Sequence, residues 1–195
     1  MFWLIGAAAV VAGVGALAWL SGEEQSAYNS YLTSSERLAS ETKLRQQQMA
    51  ASQARYHSEK DYYEHIELHF ASMKTATALY EQYETHKKMV AMFQNKQHSF
   101  SRCIIGLKQQ RDAATGIKKS AIKAQLDEVR AHFQEAKAQL ARLKQEKTKL
   151  LGEIRQLNAA THDYKLYIRD NCGQKGRNWY QRGLERKQQR LQYGS

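Results

Sequence analysis

The sequence predicts an all-α protein in which a single N-terminal transmembrane helix is followed by long coiled-coil helices, arranged as a helical hairpin or as a parallel oligomer. Three observations carry that expectation. No proline occurs in 195 residues, so no side chain removes a helical N–H or forces a kink. Residues 2–20 read FWLIGAAAVVAGVGALAWL, an unbroken apolar run. From Ile122 to Ile168, residues spaced alternately four and three apart are mostly apolar for nearly seven heptads, the pattern that keeps one helix edge facing a partner.

The composition bounds what such helices can bury. Ala, Gln, Lys, Arg, Leu and Glu recur throughout, and the mean hydropathy is −0.72 even with the apolar run included. Helices of this kind bury a narrow seam rather than a thick core. The net charge is +11, and its surplus lies in the second half, where residues 101–195 hold 21 Lys+Arg against 9 Asp+Glu. That asymmetry suits a polyanionic partner, whether nucleic acid, anionic lipid or an acidic protein, and equally a solvated helix face.

Residues 1–21 are expected to form the anchor. Nineteen apolar residues match the roughly 20 that cross a bilayer core, and Trp3 and Trp19 suit the two interfaces. A cleaved signal peptide is the competing reading, because Ala16-Leu17-Ala18 has a small-x-small pattern. It lacks the basic n-region, and the run exceeds a usual h-region. The first cation after the run is Arg37, and Glu23 and Glu24 flank its exit, so the positive-inside rule has little to count. The expected location is the inner (plasma) membrane, single-pass, with the bulk of the chain leaning cytoplasmic and periplasmic as the alternative.

Residues 22–100 are expected to form a first long helix with imperfect aromatic heptads. Its two series run Tyr28, Ser35, Thr42, Met49, Tyr56, Tyr63, Phe70, Thr77 and Tyr31, Leu38, Arg45, Ser52, Glu59, Ile66, Met73, Tyr80. Glycines 106 and 116 and the polar stretch before them mark residues 101–121 as a hinge. Residues 122–169 are expected to form the regular coil, with Ile122, Leu126, Val129, Phe133, Leu140, Leu143, Leu150, Ile154 and Leu157 in its seam and Lys147 and Thr161 as polar intrusions. Reversal at the hinge gives a hairpin; a straight run gives a homo-oligomer or a coil with a protein partner.

Residues 170–195 are a basic aromatic tail. Lys175, Arg177, Arg182, Arg186, Lys187 and Arg190 surround Trp179 and Tyr180, and this group is the candidate site for an anionic surface or partner. Arginine among aromatics can hold phosphates by charge and bases or lipid by stacking or insertion. The competing reading is a small helical cap with Trp179 and Tyr180 packed inward.

Other chemistry is sparse. His65-Ile66-Glu67-Leu68-His69 fails the HExxH spacing of zinc proteases, and Asp61, His65 and His69 lie off the expected seam, on a face read as solvated. Cys103 and Cys172 stand alone without a CxxC pair. No catalytic residues, metal or cofactor are expected. The function expected is a non-enzymatic membrane-anchored scaffold or tether, an accessory subunit of a bacterial or phage envelope-associated complex. Two alternatives share the layout: a phage spanin-like periplasmic lysis protein, and a membrane-tethered nucleic-acid binder.

Overall fold

The computed structural model describes residues 19–55 and 61–193. Four helices follow in order: α1 (Gly22–Arg55), α2 (Tyr62–Ala113), α3 (Gly116–Asn171) and α4 (Gly173–Tyr193). Residues 1–18, which hold nearly all of the expected anchor, lie outside the described residues. Among the described residues, no helix is long and apolar enough to cross a membrane.

A capping box starts α1. The Ser21 hydroxyl accepts from the Glu24 backbone N–H at 3.3 Å, and the Glu24 carboxylate accepts from the Ser21 N–H at 2.9 Å. Two contacts set α1 antiparallel to α2: Lys96 pairs with Glu24 at 2.7 Å, and Thr75 donates to Glu41 at 2.7 Å. The expected single helix over residues 22–100 is therefore two helices, and the heptad phase changes between them.

The turn between α2 and α3 is tighter than the expected hinge. Helix α2 runs without interruption through Gly106 to Ala113, and Ala114 and Thr115 are extended. Gly116 then takes φ +59, a left-handed conformation that a side chain would strain. The expected hinge over 101–121 thus contracts to two extended residues and one glycine. Helix α3 returns antiparallel to α2, so that His65 meets Tyr164 at one end and Phe100 meets His132 towards the other.

The result is a three-helix bundle that α1 covers only from about the level of Lys96. Beyond that level α2 and α3 continue as a two-helix arm, roughly 25 Å long at 1.5 Å per residue. The seam of α3 is inside the bundle: Leu140, Leu143, Leu150, Ile154, Leu157, Thr161, Tyr164 and Ile168 are buried, as is Leu126 on the arm. Ile122, Val129 and Phe133 are half-buried, and Lys147 is exposed rather than intruding. Each fully buried Leu or Ile contributes about 1.5–3 kcal/mol. The helices they face belong to the same chain, so this seam is not free for a second copy.

Two residues of the apolar run belong to the bundle. Trp19 meets Phe93 and Phe100 edge-on at 5.6 and 5.4 Å, and its indole N–H donates to the Glu135 carboxylate at 2.6 Å. Leu20 is buried with Tyr31, Met89, Phe93, Leu140 and Leu143. Trp19 is thus held by aromatic packing and a carboxylate, not by a lipid interface, and Trp19 and Leu20 are not part of the anchor expected over residues 1–21.

In α1 the expected register places Tyr31, Leu38, Thr42 and Met49 inside. In α2 it is off by one residue. Tyr63, Phe70, Met73 and Tyr80 are 66%, 54%, 48% and 51% exposed, whereas Tyr62, His65, His69, Ser72, Ala76, Leu79 and His86 are buried. Apolarity alone favours the aromatic series; the buried series instead bonds across helices, His65 to Tyr164 and Ser52, His86 to Tyr31 and Thr75 to Glu41, with the His69 ring edge-on to Trp179.

Helix α4 folds back along the end of α3. Gly173 takes φ +58, and at Gly176 the two helices touch: a Cβ there would lie 2.1 Å from the Ile168 carbonyl oxygen. Because backbone rather than a flexible side chain blocks that position, Gly176→Ala is expected to lower stability by about 1–3 kcal/mol and to loosen α4. Denaturant unfolding, with Trp179 fluorescence for the docking of α4, checks this; an unchanged midpoint would contradict the close packing.

Candidate functional site

The basic tail is a helix, and its aromatics are its clamp. Trp179 is buried, standing edge-on to His69 of α2 at 5.0 Å between ring centroids. Tyr180 is half-buried, with Lys165 Nζ 4.9 Å and Arg169 Cζ 5.2 Å from its ring centre. Such cation–π contacts contribute about 0.5–1 kcal/mol each near the surface. The expected use of Trp179 and Tyr180 as exposed binding groups is therefore corrected, since both hold α4 to the bundle.

The cations expected beside them are free to act outward. Lys175, Arg177, Arg182, Arg186, Lys187 and Arg190 are all exposed, and among the described residues none of them pairs with a carboxylate. Lys175 lies over the Tyr63 ring at 5.8 Å, and Arg177 donates to the Gln174 side chain at 3.1 Å. Arg182 and Arg186 line a shallow groove with Ile66, Phe70 and Trp179.

His65 and His69, expected on a solvated face, are buried, and so is His86. The His65 Nδ1 atom pairs with the Tyr164 hydroxyl at 2.6 Å, and that hydroxyl donates to Ser52 Oγ at 3.0 Å. Farther along, the His86 Nδ1 atom pairs with the Tyr31 hydroxyl at 2.5 Å, and Gln82 donates to the Tyr31 carbonyl at 3.1 Å. These links join α2 to α1 and α3 at defined heights. The signal that could have found them is the His65, His69, Ser72, Ala76, Leu79 series, which repeats as regularly as the aromatic one.

Burial keeps this seam uncharged. It raises the Tyr164 hydroxyl to about 12 and also raises Tyr31, the latter with help from the nearby Glu146. Glu146 is itself raised by burial. His69 is lowered to about 4, first by burial and then by Lys165, and His86 is lowered by burial with Lys147 adding to it. A neutral imidazole at each site lets α2 carry polar groups inside without burying charge. Among the described residues, no group of three or more His, Cys, Asp or Glu side chains is placed to hold a metal ion. Cys172 is buried, and burial raises its thiol, whereas Cys103 is exposed.

The chain matches no family model, no curated protein and no solved structure.

The histidine seam sets an acid limit on the fold. In the unfolded chain both imidazoles take protons near pH 6.5, whereas folded His69 takes one only near pH 4. Stability is therefore full above pH 6.5 and falls as the pH drops towards 4, by on the order of 2–3 kcal/mol from His69. Denaturant midpoints measured between pH 7.5 and 4.5 should fall, and His69→Gln should flatten that fall relative to the parent chain. An equal slope in both proteins would remove His69 as the cause.

Proposed function

We propose that this chain is a non-enzymatic helical scaffold or tether, anchored in a membrane through the apolar residues before Trp19 and presenting a basic helix at the far end of its bundle. It would serve as an accessory subunit of a bacterial or phage envelope-associated complex, with the bulk of the chain on the cytoplasmic side. The observation that carries this reading is the position of α4. Trp19 packs at the level of Phe93, Phe100 and Glu135, whereas α4 docks at the level of His69 and Lys165. Helix α1, 34 residues long, spans the distance between those levels, and at 1.5 Å per residue it is roughly 50 Å in length.

That separation bears on the partner. A basic helix docked tens of ångströms from Trp19 would be several Debye lengths from a membrane surface lying at the level of Trp19. The target that suits it is therefore a polyanionic or acidic partner away from that surface. Trp179 is buried, so the tail offers no exposed indole for stacking on bases, and its outward face recognises a partner through charge.

Two measurements test the reading. The full chain should remain with membranes through alkaline carbonate extraction, and a form lacking residues 2–18 should not; release of the full chain would end the anchor reading. Orientation can be read from Cys103, which is exposed while Cys172 is buried. A membrane-impermeant maleimide should label it only after the inner membrane is opened. Labelling in intact spheroplasts would overturn the cytoplasmic placement in favour of a periplasmic one.

A further inference from the structure

Helix α2 carries two heptad series, one buried and one facing outward. The outward series, Tyr63, Ile66, Phe70, Met73, Thr77 and Tyr80, is spaced alternately three and four residues apart; Ile66 leans on the core, Lys175 lies over Tyr63 and Asn158 donates to the Tyr80 hydroxyl, while Phe70 and Met73 are about half exposed. Its four largest members apart from Ile66 are each about half exposed or more. It runs for roughly 25 Å along the helix. That is the length and spacing with which a second helix packs knobs into holes, and an apolar stripe of this kind on a surface marks an interaction site.

The edges of the stripe say what kind of helix fits. On one side stands α4, whose Arg182 and Arg186 border Phe70 and Ile66 with Glu185 between them; neither guanidinium pairs with a carboxylate among the described residues. A helix laid on Phe70 and Met73 would bring its flanking residues within reach of both guanidiniums. Carboxylates at those flanking positions would make charge-assisted pairs, and cations would be repelled. A second copy of this chain is a poor occupant, because a net charge of +11 opposes bringing two basic surfaces together.

We propose that the outward face of α2, bordered by Arg182 and Arg186, is a docking site for an amphipathic helix with acidic flanks supplied by a partner protein. The partner helix lays its apolar edge on Phe70 and Met73 and its carboxylates against α4. The proposal extends the scaffold reading by naming the chemistry of a partner, and it uses no residue of the anchor. Failure of one reading therefore leaves the test of the other standing.

The probe is a fluorescein-labelled synthetic peptide of three heptads, with leucine at the seam positions and glutamate flanking them, titrated with the full chain in zwitterionic nanodiscs if the chain inserts in them and in buffer if it does not. Saturable binding is expected. Phe70→Asp should weaken it at least tenfold, and Arg182→Glu combined with Arg186→Glu should weaken it severalfold and abolish its weakening by added salt. The same peptide with lysine in place of glutamate should bind at least tenfold more weakly. Because Phe70, Arg182 and Arg186 are all exposed, circular dichroism of the variants should match the parent. Three results would overturn the proposal: no saturable binding of the acidic peptide, equal binding of the lysine peptide, or a dimer of the full chain that Phe70→Asp dissociates, which would make the stripe a self-interface.

Discussion

The inward seam of α3 is the constraint on which the remaining structure depends. Leu140 and Leu143 form one buried apolar group and Leu150, Ile154, Leu157 and Ile168 a second along the same edge, and a helix carrying such an edge must cover it with something. Here the cover is the chain itself, with α2 brought alongside by the Gly116 turn and α1 laid over both. Once α3 is satisfied in this way, its heptads no longer call for a second copy. Contacts with other molecules then fall to outward faces, and those are basic along α3 and α4 and partly aromatic along α2.

Helix α2 shows how a polar seam can be selected over an apolar one. Burying Tyr63, Phe70 and Tyr80 would remove more apolar area from water, yet those rings face outward. The inner series offers something that rings do not, namely groups that bond across helices at fixed heights. His65 meets Tyr164 and Ser52, His86 meets Tyr31, and Thr75 meets Glu41. Buried polar groups are costly when unpaired and specifying when paired. Long helices of low complexity can slide by a heptad with little change in apolar burial, and a few paired histidines remove that freedom. The outer aromatic series is left available, which is what gives α2 its second, exposed edge.

The clamp at the far end follows the same economy of parts. Gly176 lets α4 approach the Ile168 carbonyl closely, Trp179 fills the space against His69, and Lys165 and Arg169 lie over Tyr180. The aromatic half of the tail is spent on attachment and the basic half faces solvent. Charge and packing, mixed together in the sequence, are separated by the helix into opposite faces.

The sequence by itself determined the helical class and most of the buried seam of α3, because these depend on local periodicity. The absence of proline and the four-three spacing from Ile122 to Ile168 are each legible without knowing what lies opposite. The phase of α2, the break between α1 and α2 and the inward turn of Trp179 were decided only by the tertiary structure. Two equally regular series compete on α2, and local spacing does not rank them. What ranks them is the set of partners that other helices bring to His65, His69 and His86, and those partners, Tyr164, Trp179 and Tyr31, stand 99, 110 and 55 residues away in the chain.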